Sequence, residues 1–173
     1  MKVVAWIAPG TWDAVVTAAQ NRPKHDQITL VAAADTQQDM PSGIFSGLIG
    51  RGHAPGHQYY DKLSTDAAQD LLDQARQALE RDCETRLLVG QTERVVTEAC
   101  DDADLLILAR DGDMSRLGPN SIGRHTRFVI DHAPCTVALL WPGRTPSLDS
   151  IPEEIPPEED PANLPHEREK RGS

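Results

Sequence analysis

Aromatic residues are scarce in this sequence, which has three Trp, two Tyr and two Phe among 173 residues. A core built around stacked rings is therefore excluded, and the hydrophobic content of 39% has to come mainly from Val, Leu, Ile and Ala. The length is sufficient for one domain of ordinary size with its own hydrophobic core.

Long apolar runs and an excess of basic residues are also missing. The apolar run in the segment MKVVAWIAPGTW is too short for a secretory signal or a membrane span, so we expect a cytoplasmic protein without membrane contact. There are 17 Lys and Arg against 27 Asp and Glu, which gives a net charge of −10. This balance excludes nonspecific binding to nucleic acid, although a local site can still bind a small anion.

The residue patterns of metal sites and nucleophilic catalysis are absent. Neither a Gly-x-Ser-x-Gly elbow nor a Gly-Lys-Ser/Thr phosphate loop occurs, and the cysteines form no Cys-x-x-Cys pair. One His-His pair, His53 and His57, and one His-Cys pair, His132 and Cys135, resemble metal ligands, but each pair is interrupted by a proline. We therefore predict no catalytic residue, no metal, and free buried thiols at Cys83, Cys100 and Cys135.

Short apolar runs alternate with amphipathic segments along most of the chain. This order predicts a doubly wound α/β fold: a five-stranded parallel sheet with helices on both faces, of the Rossmann-like type. Ligands of such folds bind at the carboxyl ends of the strands. The predicted strands are 2–8, 27–34, 85–90, 104–109 and 135–141, and the predicted helices are 12–21, 43–50, 65–82, 92–101 and 122–132.

Three stretches of the sequence resemble the universal stress protein family. DADLLILARDGDMSRLGPNSIGRHTRFVIDHAPCTVALLW is similar to its fourth strand, loop and closing strand. VVAWIAPGTWDAVVTAA and TERVVTEACDDADLLILA are similar to earlier elements. The resemblance covers about 2–142 and implies the fold above, a stress-linked regulatory role and a homodimer joined through the last strand. In the family an Asp often ends the first strand, where this sequence has Ala8.

The loop after the fourth predicted strand carries the family's nucleotide motif, Gly-x2-Gly-x9-Gly-Ser/Thr, in altered form. Gly123 matches the last glycine, but Arg110 and Asp113 stand at the two earlier glycine positions and Arg124 replaces the hydroxyl residue. Thr126 keeps a hydroxyl one turn further on. The resemblance therefore implies a degraded ATP motif, so we expect no cofactor, with ATP as the alternative.

Two interpretations of the basic residues near this motif stay open. Arg110, Arg124 and His125 could replace the lost backbone contacts and bind a phosphate together with Gly123 and Thr126. The protein would then be a nucleotide sensor, or at most a slow hydrolase. Alternatively, Arg110 pairs with Asp111 or Asp113 and the loop holds no ligand.

The composition changes after the last predicted strand. Residues 143–173 are rich in Pro and Glu and lack an apolar pattern, so we predict a domain over 1–142 and a disordered acidic tail over 143–173. This tail could instead be a docking segment for a protein partner.

Overall fold

Five strands alternate with four α-helices in the described residues, 1–35 and 57–153 of a computed structural model. The predicted helix over 43–50 lies outside these residues. In chain order the elements are β1 (Lys2–Trp6), α1 (Trp12–Gln20), β2 (Gln27–Ala34), α2 (His57–Ala78), β3 (Glu84–Val89), α3 (Thr92–Glu98), β4 (Leu105–Ala109), α4 (Arg124–His132) and β5 (Thr136–Leu140).

All the strand pairs are parallel, and the strand order is β3-β2-β1-β4-β5. The chain therefore builds outward from β1 in one direction through β3, and then in the other direction through β5. The order reverses between β1 and β4, and the crevice outside their carboxyl ends is where doubly wound folds bind ligands. The predicted doubly wound parallel sheet is confirmed.

Each face of the sheet has its own apolar layer. One layer packs α1 and α2 against the sheet, and the other packs α3 and α4 against it. The central strands are buried on both faces, as parallel strands require; β4, for example, is buried along its whole length. Apart from Thr126, the largest fully buried side chains are aliphatic, which agrees with the scarcity of aromatic residues.

Helix α2 differs most from its predicted bounds, 65–82. It begins at His57, eight residues before the predicted start, because 57–64 contain no Pro or Gly to stop it and Ser64 lies inside the helix. Ser64 donates its hydroxyl to the carbonyl oxygen of Asp35 (3.2 Å), so its side chain bonds the end of β2 rather than capping a helix. The helix ends at Ala78, and Arg81 beyond it donates to carbonyl groups of the turn after α1.

The first part of the predicted tail, through residue 153, is described. It contains one 3-10 turn, Leu148–Ser150, and the Leu117 amide donates to the Ser150 hydroxyl (2.9 Å). This bond joins the segment to the loop between β4 and α4. The rest of the tail lies outside the described residues. Among the helices that are described, none has the length and apolar character to cross a membrane.

Candidate functional site

The candidate site lies where the loop after β4 reaches the amino end of α4. Gly123 precedes the first residue of α4 and has an extended backbone (φ −67°, ψ 165°). A helix start presents free N–H groups and a positive partial charge, so it favours a bound anion. This position is the one that the degraded nucleotide motif predicts.

The carboxylate of Asp111 occupies this helix end. One carboxylate oxygen accepts a hydrogen bond from the Gly123 amide (2.7 Å), and the other accepts one from the Thr126 hydroxyl (2.8 Å). Thr126 is buried, with 1% exposure. A Cβ atom at Gly123 would lie 2.8 Å from the carboxylate, so the glycine lets Asp111 approach. The chain thus supplies its own anion where a phosphate would bind.

Arg110 is bonded to the loop and to the end of β5. Its guanidinium donates to the hydroxyl of Ser121, which is fully buried, and its central carbon lies 4.5 Å from the centroid of the Trp141 ring. Its Nε is buried without a hydrogen-bond partner among the described residues. The interpretation that Arg110 pairs with Asp111 or Asp113 is wrong: within the described part of the chain it forms an ion pair with neither.

Asp113 organises the loop. It accepts hydrogen bonds from both the amide (2.9 Å) and the hydroxyl of Ser115. Both bonds lower the pKa of the Asp113 carboxyl, and the bond from the hydroxyl has the larger effect. Its own amide donates to the Asn120 carbonyl (2.8 Å). The neighbouring Gly112 lies so close to this segment that a Cβ atom there would be 2.2 Å from the Asn120 oxygen. Both residues therefore close the loop on itself.

Arg124 and His125 belong to a contact between α3 and α4. The Nδ1 of His125 lies 2.7 Å from a carboxylate oxygen of Glu93, and its Nε2 accepts from Arg124 (3.3 Å). The pKa of Glu93 is lowered, first by the hydrogen bond from its own backbone amide and then by the bond with His125. These side chains join the two helices on the face of the sheet that they cover.

The six predicted site residues thus divide into three groups. Gly123 and Thr126 meet, with Asp111 between them; Arg110 and Asp113 stabilise the loop; and Arg124 and His125 link α4 to α3. Sequence reasoning missed the contact of Asp111 with the start of α4. Its signal was an acidic residue placed two positions after a buried strand, in the same loop as a free helix start.

The remaining candidate residues have structural partners. The Nδ1 of His132 lies 2.7 Å from the Phe128 carbonyl oxygen, and its ring stacks on that of Phe128 at 4.0 Å. In the described ranges no group of three or more His, Cys, Asp or Glu side chains could hold a metal. All three cysteines are free, but the prediction that all three are buried is correct only for Cys100, because Cys83 and Cys135 are partly exposed.

An open cleft of about 1230 Å³ lies at the other end of the strands, near their amino ends. Its charged lining is largely engaged in internal bonds. Arg22 pairs with the buried Asp26 (2.8 Å), Lys2 pairs with Asp102 (2.8 Å), and Arg81 donates to backbone carbonyl groups. These groups already have partners, and doubly wound folds bind ligands at the carboxyl ends of the strands, not at the amino ends. We therefore do not place the ligand site in this cleft.

No family model and no curated protein matches the sequence. Solved structures do share its fold. The hypothetical protein MJ0577 has a TM-score of 0.58 at 12% identity, over 83% of this chain and 97% of that one. Universal stress protein UspA from Lactobacillus plantarum has a TM-score of 0.52 at 17% identity, over 81% and 97%. A universal stress protein in complex with cAMP has a TM-score of 0.51 at 20% identity, over 83% and 98%.

These similarities confirm the predicted universal stress protein fold. The alignments cover nearly the whole of each of these structures. At 12–20% identity they concern the fold alone.

Proposed function

We propose that this protein is a cytoplasmic regulatory protein with the universal stress protein fold that neither binds nucleotides in the family's way nor turns over a substrate. The observation that carries the proposal is the Asp111 carboxylate, which occupies the amide of Gly123 and the hydroxyl of Thr126. The proposed stress-linked role rests on the likeness of fold.

Two physical effects oppose a nucleotide phosphate at this position. A phosphate would have to displace Asp111 from two hydrogen bonds, and it would then meet a negative charge a few ångströms away. Arg110 does not compensate that charge, because its guanidinium is held by Ser121 and Trp141. One structure with this fold was determined in complex with cAMP, so the fold itself is compatible with a nucleotide.

Calorimetry with ATP, ADP, AMP and cAMP, with and without magnesium, tests the proposal. We expect no heat and no thermal shift at millimolar nucleotide. Saturable binding of any of them, lost on Gly123→Asp substitution, would instead support the nucleotide sensor. Phosphate release from ATP, measured under the same conditions, should equal the rate without protein.

The role of Asp111 itself is tested by Asp111→Ala, which frees the Gly123 amide and the Thr126 hydroxyl. We expect this variant to gain binding of inorganic phosphate or AMP at millimolar concentration and to lose about 1 kcal/mol of stability with its helix-capping bonds. Asp113→Ala is the matched control, because it removes an acidic side chain of the same loop that does not contact α4. It should not gain binding.

We also propose that the protein forms a homodimer through β5. This strand ends the sheet, and its sequence TVALL has no charged residue. The other edge strand, β3, carries Glu84 and Arg86, and charged side chains protect an edge against pairing. Charge thus leaves β5 as the edge that can pair with a second copy.

A second candidate function, binding of a protein partner, is favoured by two apolar residues after β5. Leu148 is 75% exposed and Ile151 is 51% exposed, on a segment that Ser150 attaches to the domain. If this segment docks a partner, Leu148→Asp combined with Ile151→Asp should abolish the interaction while leaving the melting temperature unchanged. Truncation after residue 153 then tells whether the rest of the tail contributes.

A further inference from the structure

Two of the three cysteines lie together at the start of β5. Cys100, just after α3, is fully buried, and Cys135, just before β5, is half-buried. Both belong to the apolar layer that α3 and α4 form with the sheet. The two sulfurs are near enough that each affects the pKa of the other thiol, and the Cys100 thiol donates to the Val96 carbonyl (3.3 Å).

The backbone around the two cysteines fixes this proximity. The Ala103 amide donates to the Cys100 carbonyl (3.1 Å), which closes the turn between α3 and β4. The Thr136 amide donates to the Asp104 carbonyl (3.3 Å), which attaches the start of β5 to the other end of that turn. These two backbone bonds and the packing of one core layer therefore hold the two cysteines on the same side of the sheet, next to the same turn.

We propose that Cys100 and Cys135 form an intramolecular disulfide when a peroxide oxidises the protein, joining the end of α3 to the start of β5. Cys135 is the more exposed thiol and reacts first. Its thiolate attacks one peroxide oxygen, the O–O bond breaks, and a sulfenic acid and water are produced. The Cys100 sulfur then attacks the Cys135 sulfur and displaces a second water. Two thiols are oxidised, one peroxide is reduced, and both thiol protons end in water.

Burial makes this reaction slow. It raises the pKa of both thiols, and the pKa of Cys100 reaches about 12 through burial and the neighbouring Cys135 sulfur. Because the thiolate is the nucleophile, sustained rather than brief exposure to peroxide is needed. The pair therefore responds to accumulated oxidant.

The third cysteine provides an internal control. Cys83 packs against the opposite core layer, on the side of the sheet that α1 and α2 cover. It cannot reach either of the other two sulfurs without unfolding of the domain. Any disulfide that includes Cys83 must therefore be intermolecular or formed after unfolding.

The test is oxidation of the full chain with millimolar hydrogen peroxide at mildly alkaline pH, followed by peptide mapping without reductant. We expect one linked peptide pair containing Cys100 and Cys135, lighter than the separate peptides by two hydrogen atoms, and one remaining free thiol. The disulfide closes a loop of about 35 residues, which should raise the melting temperature by roughly 5–15 °C. Dithiothreitol should reverse both changes.

Two variants make the result specific. Cys83→Ser should keep the disulfide and the rise in melting temperature, whereas Cys135→Ser should lose both while remaining folded by circular dichroism. Oxidation of Cys135 to the sulfinic acid without a cross-link, or disulfides that involve only Cys83, would overturn the proposal. So would a linked pair that appears only after the protein is heated through its unfolding transition.

Discussion

Gly112 is a residue whose small size the loop between β4 and α4 requires. A Cβ atom there would lie 2.2 Å from the Asn120 carbonyl oxygen and 2.8 Å from the Ser121 carbonyl carbon, and both are backbone atoms that cannot rotate away. We expect Gly112→Ala to lower the free energy of unfolding by about 2–3 kcal/mol, measured by urea denaturation.

Arg116→Ala is the control for this prediction, since the Arg116 side chain is 63% exposed and its ion pair with Asp113 spans 3.6 Å. It should change stability by less than about 0.5 kcal/mol. Equal effects of the two substitutions would mean that the loop adjusts freely, and that Gly112 is not needed for close packing.

The same loop shows what the sequence could and could not predict about single residues. Fixing the register on Gly123 correctly located the helix start, because the spacing of a motif is a sequence property. The pairing of Asp111 with that helix start depends on how the loop turns. The sequence alone does not show that the Asp111 carboxylate bonds Gly123 and not the adjacent Arg110. Long side chains such as Arg110 reach several groups, so their partners are set by the folded loop.

The contact between α3 and α4 predicts a pH dependence at the scale of elements. The pKa of Glu93 is lowered from its ordinary value of 4.5, so its charged form stabilises the folded state. This contribution is complete above pH 4.5 and is lost as the pH falls through the lowered value. We expect Glu93→Gln to lower the melting temperature at pH 7. The free energy of unfolding should fall by less than about 1 kcal/mol, because the side chain is 24% exposed.

Glutamine keeps an acceptor for His125, so this substitution removes mainly the charge. The difference between the variant and the unmodified protein should disappear at about pH 3. Glu98→Gln, at the exposed carboxyl end of the same helix, should have little effect at either pH. A difference for Glu93→Gln that stays constant from pH 7 to the acidic end would contradict a contribution from its ionised carboxylate.

Elements were easier to predict than contacts. The five strands lie within two residues of their predicted bounds, because buried parallel strands are continuous apolar runs that end at polar or turn residues. The predicted start of α2 was wrong because Ser64 and Thr65 are residue types that commonly cap helices. Local sequence cannot tell a cap from an interior hydroxyl that bonds a neighbouring strand, as Ser64 does with Asp35.

The edges of the sheet are a property of the whole molecule, because they depend on strand order and not on any one strand. In β5, the Thr136 amide donates to Asp104 and the Leu140 carbonyl accepts from Arg110, so even-numbered residues bond β4. Since successive residues of a strand face opposite sides for hydrogen bonding, the backbone groups of Val137 and Leu139 point away from the sheet. These are the groups that a second copy would pair with.

Proline at such a position therefore separates dimer formation from folding. Val137→Pro removes an outward N–H and no bond to β4. We therefore expect this variant to be a folded monomer by sedimentation velocity, and we expect the unmodified chain to sediment as the proposed dimer. Ala138→Pro removes an inward bond and should lower stability by about 3 kcal/mol or more. If Val137→Pro remained dimeric, the β5 edge would not be the interface. A monomeric unmodified chain at high micromolar concentration would exclude the homodimer itself.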